Sequence, residues 1–290
     1  MTGTLQLGDL RIDRIVEGEA ALAPALNLLR GLTPEVLAEN RAWLQPQGLD
    51  AEDKLRVLFT SCVVRTPHHT ILIDTCGGND KPRPDFPPLH MKNDTRFMDG
   101  LAAAGVAPEQ VDFVLCSHLH VDHVGWNTKL QDGRWVPTFP NARYVFGRTE
   151  YDYWQAKNAE AENPVFVDSV LPVVQAGRAE MVDSEHAIGD HLQLLPTAGH
   201  TPGHVSVLLG KGRAEAVYSG DVIHSPLQAR YPELSMAFDV DPEQSAVTRR
   251  SFLERFAETD TVCCFNHFAL DPVGRVQRWG NGFRCEPVGA

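Results

Sequence analysis

Three imidazoles and a carboxylate fall within six consecutive positions, His118-Leu119-His120-Val121-Asp122-His123. A His-x-His pair projects both rings the same way where the backbone is locally extended. Asp122 and His123 follow directly and are placed to address a second centre. Neutral imidazole and carboxylate together suit zinc, iron or manganese, with no thiolate required. A polar loop that merely caps a strand would account for one histidine here. It does not account for three with an aspartate at this spacing.

The elements that would position these side chains are short and apolar. Residues 111–116, Val-Asp-Phe-Val-Leu-Cys, read as a buried strand, so the ligand-type residues sit on the loop at its end. Three further candidates occupy similar places. His200 lies in Thr197-Ala198-Gly199-His200-Thr201-Pro202-Gly203-His204, Asp221 follows the strand-like Ala216-Val217-Tyr218, and His267 follows Thr261-Val262-Cys263-Cys264-Phe265. Ligands at several strand ends are how a rigid sheet assembles a metal site.

In this order, HxHxDH, then GHTPGH, then Gly-Asp after a strand, then a late His, the chain resembles the metallo-β-lactamase superfamily. It is similar to the dinuclear hydrolases of that family: glyoxalase II, acyl-homoserine lactonases and methyl-parathion-hydrolase-like enzymes. The resemblance runs from about Leu55 to about His267. It implies an α/β fold, an αββα sandwich with the metal site at one edge of the two sheets.

The resemblance also implies a ligand set. His118, His120 and His200 would hold one metal, Asp122, His123 and His267 a second, and Asp221 would bridge them. The cofactor expected is two divalent ions, zinc first, with iron or manganese compatible with the same donors. A hydroxide bridging the ions would attack a lactone, ester or related acyl or phosphoester bond. Asp122, which doubles as a ligand, and His224 are the candidate catalytic residues. Acyl-homoserine lactonases carry a Tyr three residues after the bridging Asp, where this chain has His224. A histidine there could donate to the leaving group or oxyanion. The alternatives are a mononuclear-iron persulfide dioxygenase of the same superfamily and a glyoxalase II-like thioesterase. Metal count separates the first. The late basic residues of glyoxalase II have no match here.

Bulk properties narrow the class. With 290 residues, 43% hydrophobic and 22% charged, the chain can bury a sizeable core. A net charge of −12 argues against a nucleic-acid partner, which would call for clustered Lys and Arg. The partner expected is a small-molecule substrate, with no membrane and with a homodimer open. The N-terminal residues have no basic and apolar signal pattern, and the six cysteines form no CxxC. Both point to a cytoplasmic protein with reduced thiols.

The rest of the chain reads as one domain, residues 1–290, with a helical insertion at about 22–50. Residues 10–16 alternate as a strand, and Thr33-Pro34 is a cap-plus-Pro start for a helix running to about Leu44. Two strands over 55–65 and 70–74 flank a turn with His68 and His69. Asp74 resembles the Asp of the family's Asp-Thr-Gly strand end and would orient a ligand loop. The proline-rich stretch 79–91 is a loop and a candidate pocket rim. Asp94 is a candidate cap for a helix to about Ala104, and Gln131-Asp132-Gly133-Arg134 a hairpin turn. Trp126 is a core residue or pocket wall, and Tyr151, Tyr153 and Trp154 are packing residues on a helix over 149–159. Asp241-Pro242 starts a last helix.

Overall fold

The computed structural model describes residues 3–288. Contacts divide the chain into two compact units, Met1–Gly18 with Phe59–His186, and Glu19–Leu58 with Ala187–Ala290. Each contains the greater part of one seven-stranded mixed sheet.

In the first unit the sheet order is Thr4–Leu7, Leu10–Pro24, Lys54–Arg65, Thr70–Ile73, Phe113–Cys116, Arg143–Gly147, Ala179–Val182. The last four strands run parallel. Their residues are short runs of apolar side chains, as expected for strands covered on both faces. The Leu10–Pro24 strand extends well beyond the alternating stretch 10–16. Apart from Leu22, residues 17–24 are small, acidic or proline and carry no period, so only pairing in the sheet reveals them as strand.

Phe97 and Leu101 of helix Arg96–Ala103 are buried, and Phe97 stacks on Trp126 at 5.4 Å between ring centroids. Trp126 is therefore core. The N-cap of this helix is Thr95, one residue past the expected Asp94, whose Oδ1 instead accepts the Arg96 N–H at 3.1 Å. Asp132 and Gly133 both take positive φ (50° and 74°) between the paired strands Thr128–Gln131 and Arg134–Pro137, as a two-residue hairpin requires.

The 79–91 loop is tied down within its own unit. Lys81 and Arg83 are both buried on Asp168, Arg83 by two bonds of 2.8 and 2.7 Å. The Lys81 ammonium donates to Thr128 Oγ1 at 2.9 Å and stands 3.7 Å over the Trp135 ring. Burial lowers its pKa to about 8, against the opposing pull of Asp168. Asp168 lies in a single π-helical turn, Phe166–Val170, which the sequence pattern does not announce.

In the second unit the order is Ala187–Ile188, Leu192–Pro196, Val205–Leu209, Ala216–Tyr218, Val262–Cys264, Val273–Trp279, Gly282–Pro287. Only Ala216–Tyr218 and Val262–Cys264 pair in parallel. Helix Pro242–Phe256 buries Phe252, Leu253 and Phe256 in a core with Val217, Ile223 and Phe265. Asp241 Oδ1 caps it by accepting from Gln244 N at 2.9 Å.

The 22–50 region lies wholly in this unit. Thr33 Oγ1 accepts from Val36 N at 3.3 Å and helix Pro34–Leu44 follows, as the cap-plus-Pro signal implies. Ahead of it Leu29–Arg30 pairs antiparallel with Ser235–Met236. All six cysteines are free thiols, five of them buried.

One contact in the first unit tolerates no side chain. A Cβ on Gly125 would lie 2.0 Å from the carbonyl of Gly77, because the turn after the histidine motif lies against the turn after Asp74. Two hydrogen bonds lock the approach, Gly125 N to Cys76 O at 2.7 Å and Trp126 N to Thr75 O at 2.9 Å. Gly125→Ala is expected to lower unfolding stability by about 3 kcal/mol, the upper range for overpacking. Urea denaturation checks this, with the midpoint rather than the slope shifting.

Candidate metal centre

In the first unit, parallel pairing builds the site. Ile73 is in register with Leu115, so the strands Thr70–Ile73 and Phe113–Cys116 end within one residue of each other. Asp74 follows one and Ser117 the other. Asp74 is fully buried, with a positive φ of 58°. Its Oδ1 accepts from Ser117 N and its Oδ2 from Ser117 Oγ, both at 2.7 Å. Asp74 Oδ2 also meets His123 Nδ1 at 2.8 Å. The carboxylate thus takes the Nδ1 proton and leaves the Nε2 lone pair for a cation.

The other ring positions follow from this turn. His118 lies 4.0 Å from His123 and 4.6 Å from His120 between ring centroids. Asp122 Oδ1 lies 3.7 Å from His123 Nε2. His118 and His123 are buried, while His120 and Asp122 are half-buried. Four donors of the expected set are brought together here. His68 is exposed on its turn, apart from them.

Buried Glu150 holds the loop from behind, accepting from Leu119 N at 3.1 Å and from Trp154 Nε1 at 2.7 Å. The Trp154 ring meets His120 edge-on at 5.4 Å. Trp154 therefore does more than the packing expected of it. Tyr151 packs on Phe166. Buried Glu17 accepts from Trp126 Nε1 at 2.7 Å and from Gly77 N at 2.8 Å, fixing the adjacent turn.

In the second unit the same logic recurs. Tyr218 is in parallel register with Cys264. Asp221 lies three residues past the first and His267 three past the second. Equal offsets from paired positions set them side by side, with His267 Nε2 3.0 Å from Asp221 Oδ1. His267 Nδ1 meets the Leu58 carbonyl at 2.7 Å. His200 comes from the turn between strands Leu192–Pro196 and Val205–Leu209. Gly199 there, at φ 138°, would place a Cβ 2.4 Å from Ser245 N, so the helix start comes close against the turn.

His200 Nδ1 meets Asp239 Oδ1 at 2.8 Å, and its Nε2 lies 3.5 Å from Asp221 Oδ2. Burial pushes the His200 pKa down to about 4, more than the Asp239 hydrogen bond raises it. The ring is neutral at pH 7, as a ligand must be. Burial alone would raise the Asp239 carboxyl, but His200 and nearby Arg249 hold it below its ordinary range. Asp239 Oδ2 accepts from Met236 N at 2.9 Å and lies 3.7 Å from Arg249, itself fully buried and spread over the Val222 and Pro232 carbonyls.

His224 is buried and stacks flat on His267, with centroids 5.1 Å apart and planes at 7°. Its Nε2 stands 3.1 Å from Asp221 Oδ2, yet neither ring nitrogen has a hydrogen bond of adequate geometry. Direction as well as distance makes a hydrogen bond, so this approach is a close contact and not a hydrogen bond. Asp221, His224 and His267 each offer a ligand atom, all within 4.8 Å of one another.

This half passes a chemical test for a cation. With Nδ1 of His200 and His267 donating to Asp239 and Leu58, their Nε2 atoms are acceptors. They face another acceptor, the Asp221 carboxylate. The Asn266 amide, 3.3 Å from both Asp221 Oδ1 and His267 Nε2, relieves part of their repulsion, and positive charge among the groups would relieve the rest. Burial works against supplying that charge as a protonated His200.

His204, the second histidine of the GHTPGH segment, belongs to the support. Asp221 N donates to its Nε2 at 2.8 Å, and its Nδ1 is then the donor to Thr197 O at 3.1 Å. Asp239, Glu17 and Glu150 carry no local signal. His204 has one, the repeated His in GHTPGH.

The family's sequence profile, described as metallo-beta-lactamase superfamily, matches residues 56–267. The chain belongs to the metallo-β-lactamase superfamily. Its fold is shared with solved members of that superfamily. A hydrolase called AbOPH superposes with a TM-score of 0.81 at 25% identity, over 100% of this chain and 98% of that one. AidC, described as a dizinc quorum-quenching lactonase in complex with a product, gives 0.83 at 21% identity over 100% and 98%. By sequence, an N-acyl homoserine lactonase of Bacillus thuringiensis is 25% identical over 182 residues, 61% of this chain and 64% of its own length. One from a Bacillus species is 29% identical over 119 residues, 41% of each. The matches thus cover less than two thirds of the length of these relatives.

Asp239→Asn preserves shape but loses the carboxylate that fixes the His200 tautomer. Affinity for a divalent ion, measured by competition with a chromophoric chelator, is expected to fall by about 10- to 100-fold with the far-UV spectrum unchanged. Wild-type affinity in the variant would reduce Asp239 to a packing residue.

Proposed function

We propose that the chain is a dinuclear-metal hydrolase acting on a lactone or ester. His118, His120 and His200 hold one divalent ion, Asp122, His123 and His267 the other, and Asp221 serves both. The observation that carries this reading is the orientation of the rings. Nδ1 of His123, His200 and His267 each meets a fixed oxygen acceptor, at 2.7 to 2.8 Å, which turns Nε2 into the outward donor atom. Zinc is the ion we favour, on the imidazole and carboxylate donors and the dizinc description of AidC.

When bound, the ions supply Lewis acidity toward the scissile carbonyl and lower the pKa of water held with them. The chain's own residues do the rest. Asp74, Asp239 and the Leu58 carbonyl hold the ring tautomers. His224, buried beside Asp221 and stacked on His267, donates a proton to the departing oxygen. Asp122, half-buried like His120, would take the proton that the attacking water gives up. A substrate other than a polyanion fits the net charge of −12, and a cytoplasmic setting fits the free thiols. Among the described residues no helix is long and apolar enough to cross a membrane.

Protein purified without chelator is expected to carry two transition-metal ions per chain by elemental analysis, and His123→Ala or His267→Ala to approach one. It should open acyl-homoserine lactones or cleave aryl esters, with activity lost to chelator and restored by zinc. A single iron with oxygen uptake on persulfide would replace this reading by the dioxygenase.

His224→Ala is expected to keep both ions and lower kcat by roughly 10- to 1,000-fold, the loss shrinking as the leaving group improves. A flat leaving-group series would remove His224 from proton transfer. Loss of an ion would place it among the ligands instead.

A further inference from the structure

Phe238 stands apart from the other exposed apolar residues. It is 44% exposed, yet its ring lies edge-on to two imidazoles, 5.7 Å from His200 and 5.5 Å from His224 between centroids. Scattered exposed apolar side chains are ordinary and need no function. This one is held in place on both sides.

On the N-terminal side, Ser235 and Met236 pair with Arg30 and Leu29. Ala237 N donates to Leu28 O at 2.7 Å, and the Arg30 guanidinium donates to Ala237 O at 2.7 Å. On the C-terminal side, Val240 N donates to His200 O at 3.0 Å and Asp241 N to Gly199 O at 2.9 Å. Between them Asp239 grips the His200 ring. The backbone of residue 238 therefore has almost no freedom, and its ring is fixed over His200 and His224 while keeping surface open to solvent. Of the six exposed large apolar side chains among the described residues, Phe238 and Val240 lie on this segment, and Leu26 lies in the short helix Ala25–Leu28 just ahead of its partner strand.

Resting on the hydrolase reading above, we propose that Phe238 is a specificity-determining residue, the apolar wall that receives the acyl chain or aromatic ring next to the scissile carbonyl. The substrate class is then an ester or lactone with an apolar substituent of several carbons, not a small polar acid or a charged peptide thioester. A rigid aromatic surface beside the reacting centre rewards each added methylene by removing it from water. The segment around residues 28–30 is what holds the wall in position.

The test compares wild type, Phe238→Ala and Phe238→Leu, each with two metals confirmed. Substrates are homoserine lactones with butanoyl to decanoyl chains and 4-nitrophenyl esters of the same lengths. For wild type, kcat/KM should rise with chain length. In Phe238→Ala the decanoyl-to-butanoyl ratio should fall about tenfold, chiefly through KM, and Phe238→Leu should restore most of it. A ratio unchanged in Phe238→Ala, with all substrates slowed alike or none slowed, overturns the assignment while leaving the hydrolase reading intact. If wild type cleaves neither series with both metals present, the hydrolase reading fails and the specificity role fails with it.

Discussion

An imidazole can serve a cation through one nitrogen only if the other is committed elsewhere. That constraint shapes most of what surrounds the candidate centre. His123 is committed to Asp74, His200 to Asp239 and His267 to the Leu58 carbonyl, all within 2.8 Å. Each acceptor is then fixed by something rigid. Asp74 is fixed by Ser117 on the neighbouring parallel strand, Asp239 by the Met236 amide and Arg249, and Leu58 by its own amide donating back to the His267 carbonyl. Both units solve the same problem by local means. The cost is a set of buried charges in each, tolerated because every one has a partner at short range.

The glycines and buried ions around the turns serve the same end. Gly125 allows the histidine-bearing turn to lie directly on the turn after Asp74, and Gly199 allows the His200 turn to meet the start of helix Pro242–Phe256. Glu17 reaches both Gly77 and Trp126, so a strand near the N-terminus braces a turn 60 residues away. Rigidity of this kind is what a preorganised site requires, because a ligand displaced by half an ångström loses much of its value.

Much of this was legible from the chain. The apolar runs, the cap-plus-Pro helix starts at Thr33 and Asp241, the Asp132-Gly133 hairpin and the ligand-type residues all depend on neighbours within a few positions. So does Asp74, which closes a strand. The residues that stayed hidden act across long separations through common chemistry. Asp239 is 39 residues from His200, and Lys81 finds Asp168 87 residues on. Nothing local distinguishes such an aspartate from a solvated one. His204 was in view as part of GHTPGH, but its role toward the Asp221 amide emerges only when the strands on either side are paired. The extension of the first long strand to Pro24 and the π-helical turn at Phe166–Val170 were invisible for the same reason, since tertiary pairing overrides weak local preference there.

The parallel register of Tyr218 with Cys264 has a consequence for how such a chain can change. Asp221 and His267 are neighbours because two turns of equal length leave two strands that end level. The distance between them is therefore first a matter of counting, with Gly220 at a φ of 54° and the Asn266 amide, 3.3 Å from Asp221 Oδ1, refining it. Substitutions in Ser219-Gly220 or Phe265-Asn266 leave the count intact. Slipping the pairing by one turns the strand's side chains to the opposite face, and inserting or deleting one residue in either turn breaks the equal offset, which no side-chain exchange nearby restores. Drift in this part of the chain should accordingly appear as replacements, while changes of length are confined to segments such as 211–215 and 257–260 that lie at the far ends of these strands.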